Sequence, residues 1–514
     1  MISKVYSFGL QGIDAYPVEI EIDISPGLPT VNIVGLPDSS IKEARERVKS
    51  AIKNSGFEWP AERITISLAP SSVRKEGSCF DLAIALGILA ATAQIQSQNL
   101  SNYNIIGELA LDGSIRPSGG ILAIAMAIVK DKNTQGTEYS NLVLPLENAK
   151  EAAIVSGISV WPLKTLKEAV EFINNQNLYQ PLKINLEDLF KENTSYAVDF
   201  SEVKGQYSAK RAIEVAICGG HNILMIGPPG SGKTMLAKRI PTIMPNLTLE
   251  EALDITKIHS AIGILPNTNG IIATRPFRSP HHGISSVALI GGGSLPIPGE
   301  VSLAHHGVLF LDELPEFNRN SLEALRIPLE EGSIRISRIL KSINFPAAFV
   351  LVAAMNPCPC GYYTNPNKTC TCNTTKIHNY RSKISGPLLD RIDIHIELPA
   401  LKYQELSDIK DSEPSYIIKA RVENVRGIQK ERFKDEKIFF NARMNAKLIR
   451  KYCYLDKGAK ELLKLAISEL GFSARAYDKI LKISRTIADL AGSEDILREH
   501  ISEAVQYRSL DRQL

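Results

Sequence analysis

No apolar run in this 514-residue chain is long enough for a membrane span, and the longest candidates are broken by Lys, Gly or Asn; a spanning helix needs about 20 consecutive apolar residues. The N-terminus, MISKVYSFGLQGIDAYPVEIEIDIS, alternates as a strand does and lacks the charged, apolar and small-residue regions of a signal peptide. These absences predict a cytoplasmic protein with no membrane partner. Cysteine is scarce, seven residues in all, which excludes a disulfide scaffold. Net charge is only +3, so there is no global basic field, and any nucleic-acid contact must be local. No internal repeat is present. What is there is a globular composition, 44% hydrophobic and 22% charged, in a chain long enough for about three domains.

The pattern predicts an α/β protein that turns all-helical at its end. Residues 1–175 alternate strand-like runs (Val18–Ile24, Thr30–Leu36, Arg63–Ala69) with helical ones. Ser39–Gly56 places Ile41, Ala44, Val48 and Ile52 at helical spacing, while Asp81–Ile95 is apolar nearly all round and is expected at a domain centre. Residues 176–202, rich in Asn, Gln, Lys and Glu, read as a linker. Residues 203–400 carry further α/β signals. Residues 401–514 read as helices, with Gly458–Leu470, Ser473–Gly492 and Glu494–Leu510 keeping the 3.6-residue period.

Asn222–Ile240, NILMIGPPGSGKTMLAKRI, is an apolar strand, a glycine-rich turn and a helix. That context predicts a phosphate loop at Gly227, Pro228, Pro229, Gly230, Ser231, Gly232, Lys233 and Thr234 that binds ATP. Its backbone N–H groups converge on phosphates at a helix N-terminus. Lys233 would neutralise the β- and γ-phosphates, and Thr234 would ligate Mg²⁺. A second apolar strand, Gly307–Leu314, ends in Asp312, a Mg²⁺ holder, and Glu313, a base for the attacking water. A third, Phe349–Asn356, ends in Asn356, which either bonds the γ-phosphate or the attacking water or simply turns the chain before Pro357.

Cys358, Cys360, Cys370 and Cys372 form a C-x-C, nine-residue, C-x-C cluster. In a reducing compartment four thiolates point to structural Zn²⁺, with free thiols or an iron–sulfur cluster as the alternatives; His378 is near enough to replace one cysteine. Glu331–Phe345 reads as a β-hairpin with Arg335, Arg338 and Lys341 on or near its tip. The pairs His281/His282 and His305/His306 are read as local polar contacts, because adjacent side chains on an extended segment point apart.

Strand-GPPGSGKT, strand-DE, strand-N and SGPLLDRID (Ser385–Asp393) together resemble the AAA+ ATPases, in the branch that holds the magnesium-chelatase motor subunit and the MCM helicases. The resemblance implies that Arg391 is an arginine finger for the neighbouring subunit's ATP and that Arg475, in LGFSARAYDKI, is the sensor arginine of a helical lid. It also implies that the hairpin arginines and lysine face DNA in a ring pore. The segments RPFRSPHHGISSVALIGGG, NPCPCGYY and FSARAYDKILKISRTIADLAGSEDI, with the N-terminal VYSFGLQGIDAYPVEIEIDISPGLP, extend the likeness to the YifB/ComM family over the whole chain. Its competence-associated member is a hexameric helicase of branch migration in natural transformation. The implied partners are therefore DNA (single-stranded, double-stranded or branched), a homo-hexamer and recombination proteins. The N-terminal domain is similar to the Lon-protease fold. Cys79 in RKEGSCFD falls at the nucleophile position, but PSGGILAIAMA (Pro117–Ala127) carries no lysine, so a non-proteolytic scaffold is expected. Two rival functions remain, a chelatase motor and a protein remodeller without protease activity.

Overall fold

Alternating apolar residues at the N-terminus build two long strands, β1 (Ile2–Gln11) and β2 (Asp14–Ser25), paired antiparallel from Ile2 opposite Asp23 to Gln11 opposite Asp14. Val18, Ile20, Ile22 and Ile24 are buried together because successive side chains take opposite faces. In the computed structural model, which describes residues 2–135, 140–186, 189–190, 194–265, 270–293, 296–337, 342–363, 365, 368–400, 412–436 and 438–508, these strands belong to the first of two compact units. That unit comprises Met1–Thr194 with Leu249–Ala273, and the second Ser195–Thr248 with Thr274–Leu514.

The first unit adds β3 (Thr30–Val34), β4 (Arg63–Ala69), β5 (Asn104–Ile105), β6 (Asn141–Pro145) and β7 (Ser159–Leu163). The seven strands form one mixed sheet in the order β3-β4-β2-β1-β5-β6-β7. Helix Ser39–Asn54 buries Ile41, Ala44, Val48, Ala51 and Ile52, and the Asp38 carboxylate starts it by accepting from the Ile41 N–H at 2.8 Å. Helix Asp81–Ala91 is buried along its entire length, as its all-round apolarity requires. A later helix, Leu249–Ala261, also joins this unit. It packs on helix Ile121–Gln135, buries Ala252, Ile255 and Ile258, and lends the Ser260 carbonyl to the Gly120 N–H at 2.9 Å. The Glu151 carboxylate accepts from the Ser260 hydroxyl and from the Leu122 N–H. Residues 176–202 divide between the units: the Leu182 N–H bonds the Val160 carbonyl at 2.9 Å, whereas Phe200 is buried in the second core.

The second unit centres on five parallel strands: β8 (Ile223–Ile226), β9 (Phe277–Arg278), β10 (Val308–Leu311), β13 (Val350–Met355) and β14 (Ile394–Glu397), where β11 (Ser333–Ser337) and β12 (Ser342–Pro346) form a separate antiparallel hairpin. The order β9-β10-β13-β8-β14 puts β8 where the chain's path reverses direction across the sheet. In open parallel sheets ligands bind beyond the carboxyl end of such a strand. The core strands are buried residue for residue, the signature of a sheet covered on both faces.

Helices follow from Ser415 onward: Ser415–Arg432, Ala446–Tyr452, Lys457–Leu470, Ala474–Leu490 and Arg498–Gln506. The last starts later than Glu494 because Ile496 is drawn into a bridge with Leu455. Among the described residues no helix is long and apolar enough to cross a membrane.

Candidate nucleotide site and cysteine cluster

The glycine-rich turn lies directly after β8, and helix Lys233–Ile243 begins from Gly232. Gly232 has φ +89°, a conformation that glycine takes without steric cost, and a Cβ there would meet nothing within 4 Å. The open space and the helix N-terminus suit a phosphate chain. A further sign is that the Ser231 hydroxyl is buried without a hydrogen-bond partner among the described residues. The Lys233 ammonium turns back on the loop, donating to the Gly227 and Pro228 carbonyls at 2.7 and 3.0 Å and to Asn356 Oδ1 at 3.3 Å. Burial holds its pKa below the usual lysine range, opposed by Asp312 and Glu313. The Thr234 hydroxyl donates to Asp312 Oδ2 at 2.7 Å, bringing together two hard oxygen ligands of the kind Mg²⁺ prefers. Glu313 follows at φ +55°, with its N–H bonded to Asp312 Oδ1 at 3.0 Å.

Lys233, Thr234, Asp312 and Asn356 thus meet at one place, with Glu313 next to Asp312. Arg391 and Arg475 lie elsewhere. The Arg391 carbonyl accepts from Asn222 Nδ2 at 2.9 Å, at the entrance of β8 and so at the opposite end of that strand from the loop. The Arg391 side chain is 12% exposed, paired with Glu330, and donates to the Pro387 carbonyl at 2.6 Å. Arg475 is 69% exposed and pairs with Asp390 at 3.1 Å, beside Arg391 in sequence. Among the described residues no hydrogen bond or ion pair joins either arginine to the phosphate loop. Asp393 anchors this region: burial alone would raise its pKa, but Lys479 at 3.0 Å and His221 at 3.4 Å hold it far below the usual carboxylate range.

The four cysteines converge. Sγ of Cys358 lies 3.3 Å from that of Cys360 and 3.7 Å from that of Cys370, Cys360 and Cys370 are 3.5 Å apart, and all four sulfurs lie within 4.8 Å of one another. A tetrahedral zinc with bonds near 2.3 Å sets its sulfurs about 3.8 Å apart. Backbone N–H groups of Tyr363 and Cys372 point at Cys358 and Cys370 sulfurs at 3.3 and 3.4 Å, as bonds to thiolates would. The donor set fits a thiolate-bound metal, and His378 is outside the group.

Of the hairpin residues, Arg335 is exposed on β11 opposite Asn344, with Ile334 and Phe345 turned inward; Arg338 and Lys341 lie outside the described residues. The histidine pairs correct the expectation that they point apart. Ring centroids are 4.0 Å apart in His281/His282 and 3.9 Å in His305/His306, because both pairs occupy turns and not extended backbone. His306 has φ +56° and a pKa pushed down to about 4 by burial. His282 Nδ1 sits 3.8 Å from a Glu313 carboxylate oxygen.

Two contacts to the site were absent from the motif reading. Gln206, left-handed at φ +54°, donates from Nε2 to the Ser231 and Pro399 carbonyls at 3.2 and 2.9 Å. Its only signal was the Gly205-Gln206 step ahead of a helix. Gly361, between the cysteine pairs, packs on Pro229.

Three family descriptions match: "Subunit ChlI of Mg-chelatase" over residues 20–148, "Magnesium chelatase, subunit ChlI" over 199–406, and its C-terminal counterpart over 412–508. The chain is 43% identical to "Competence protein ComM" of Haemophilus influenzae over 516 residues, covering 100% of this chain and 98% of that protein. To "Uncharacterized protein YifB" of Escherichia coli it is 41% identical over 514 residues, again 100% and 98%. A remoter likeness, 22% over 343 residues, links 59% of the chain with 37% of "DNA replication licensing factor mcm2" of Schizosaccharomyces pombe. A phosphate loop joined to two carboxylate- and amide-bearing strand ends, matched along its full length, places this chain in the YifB/ComM family of magnesium-chelatase-like AAA+ ATPases.

Proposed function

We propose that this protein is a cytoplasmic ATP-driven ring translocase, hexameric, that promotes branch migration of DNA in homologous recombination during natural transformation. The observation that carries the reading is the joining of Lys233 to Asn356 and of Thr234 to Asp312, in a chain alike over its whole length to a competence protein. Gly227–Thr234 would cradle the phosphates, with Lys233 moving from the loop carbonyls to the β- and γ-oxygens. Thr234 and Asp312 would hold Mg²⁺. When bound, that ion neutralises phosphate charge. Glu313 would take the proton of the attacking water while Asn356 orients it. Arg391 must part from Glu330 to reach a neighbour's ATP, and Arg475, paired with Asp390, would couple loss of the γ-phosphate to rotation of the helical lid. Cys358, Cys360, Cys370 and Cys372 would hold a structural Zn²⁺.

Three features support the DNA half and the scaffold role of the N-terminal unit. Arg335 is exposed on a hairpin of the ATPase unit, and a likeness to an MCM protein covers over half of the chain. Burial pushes the Cys79 thiol up to about 12, which suits a Lon-like scaffold without protease activity. A chelatase motor is the second reading, favoured by three family descriptions that name magnesium chelatase. ATPase rates measured with branched DNA, with a porphyrin and chelatase partner, and with unfolded protein separate these readings from a remodeller. Stimulation by branched DNA alone is expected, and replacing Arg335, Arg338 and Lys341 by Glu should remove it. Stimulation by the porphyrin pair or by unfolded protein, with none by DNA, would overturn the proposal.

A further inference from the structure

The cysteine cluster and the phosphate loop are one mechanical assembly. Strand β13 delivers Asn356, whose side chain touches the Lys233 ammonium at 3.3 Å. Two residues later the chain enters the cluster at Cys358, which is fully buried. It turns at Gly361, whose N–H bonds the Cys358 carbonyl at 3.0 Å. At φ +84°, a Cβ on Gly361 would fall 2.5 Å from Pro229 Cδ of the phosphate loop and 3.9 Å from Asn356 Cγ. So the turn just after the first cysteine pair packs on the loop, beside Asn356, which among the described residues is the side chain hydrogen-bonded to the loop lysine from another strand.

The return path closes the circuit. After Cys372, Asn373 caps helix Thr374–Arg381 through its side chain. That helix brings Tyr380 back so that its hydroxyl faces the Asn356 backbone N–H, and Arg381 back to donate to the Pro357 carbonyl at 3.1 Å. The two ends of the segment are held together by these contacts and by the four sulfurs. Among the described residues, Cys358–Cys372 contributes no helix or strand, so its fold depends on turns, on ring contacts such as Tyr363 with Arg381, and on the sulfurs. A cation binding four thiolates cross-links the chain at two places 12 residues apart and removes the freedom that would let the knuckle drift. Four sulfurs left without a cation keep no comparable cross-link.

We propose that a thiolate-bound divalent metal at Cys358, Cys360, Cys370 and Cys372 controls nucleotide affinity, by holding Gly361 against Pro229 and Asn356 against Lys233. This rests on the reading of Gly227–Thr234 as the ATP site, and it makes the cluster a metal-dependent clamp on nucleotide binding, beyond a prop for the fold. Loss of the metal releases the loop and weakens nucleotide binding before any subunit contact or DNA is involved.

The test uses the full-length protein, a fluorescent ATP analogue as probe, and metal content measured on the same samples. Stripping with a thiol-competitive chelator should weaken analogue binding about tenfold or more, and added Zn²⁺ should restore it. Cys370→Ser with Cys372→Ser should show the same loss without recovery. Gly361→Ala should keep its metal and still lose affinity, since the Cβ overlaps Pro229 in a left-handed backbone. Metal-free protein that binds the analogue as tightly as the loaded protein would overturn the proposal, as would metal-loaded Gly361→Ala with unchanged affinity. Failure of the ATP-site reading looks different: loaded protein would then bind the analogue no better than Lys233→Ala.

Discussion

Arg74–Asp81 in the first unit and Gly227–Thr234 in the second are both glycine-bearing turns that follow a strand and open a helix, fully buried in the first and partly exposed in the second. In the first, Cys79 points its sulfur at the Phe8 carbonyl at 3.9 Å, and burial pushes its thiol to about 12. Lys75, close by in sequence, is wholly buried and gives its ammonium to the Pro70 carbonyl. Ser78 bonds Glu108, and Asp81 is paired with Arg47 at 2.8 Å. Every reactive group there is already committed. In the second turn a lysine and a threonine are hydrogen-bonded to an amide and a carboxylate from the ends of two other strands, beside Gly230 and Gly232, where a Cβ would meet nothing within 4 Å. A strand, a glycine turn and a helix are therefore only a holder, and what neighbouring strands place opposite the turn decides whether chemistry follows.

The largest test of this contrast is Glu313→Gln. Loss of a general base should cut ATP hydrolysis by roughly 10² to 10⁴ while analogue binding is kept. A variant that hydrolyses at the parent rate would remove Glu313 from the chemistry and weaken the contrast with the silent turn. A smaller effect separates the units by acid. Burial raises Asp81 to about 6 in the folded first unit, so the stability it contributes is full below about 4 and is lost as pH rises through 6. Burial lowers His306 to about 4 in the second unit, so its contribution is full above about 6.5 and is lost as pH falls toward 4. Each is on the order of 3 kcal/mol across its window. Hydrogen exchange followed between about pH 4 and pH 7 should show Asp81→Asn and His306→Asn altering the pH dependence of separate units with opposite sign. A same-signed change would refute the assignment. The smallest expectation is no difference: Cys79→Ala and the parent should both lack measurable peptidase activity, and activity abolished by the substitution would reopen the first turn as a catalytic one.

The phosphate loop was legible because its chemistry is contiguous: eight residues carry the turn, the cation and the hydroxyl. Asp312 and Asn356 were legible because apolar strands ending in a polar residue announce where they stop. Gln206 was not, since its contact depends on a left-handed backbone and on a carbonyl 25 residues away. The histidine pairs were misread because an extended segment was assumed where the chain turns. Helix Leu249–Ala261 was not singled out from the sequence, and periodicity would in any case say which face is apolar and nothing about which sheet or helix receives it.

That helix has a consequence for how the gene can be cut. Helix Leu249–Ala261, on which Ala252, Ile255 and Ile258 are buried, packs on helix Ile121–Gln135, encoded more than a hundred positions earlier. A clone begun near residue 195 would translate this helix with its sticky stripe bare, and one stopped before residue 249 would leave a matching scar on the other piece. The first unit is thus completed by a segment that the chain reaches only after it has entered the second. Recombination between relatives should preserve them as a single inheritance, and a motor freed of its N-terminal companion would first need those three side chains repainted with polar ones.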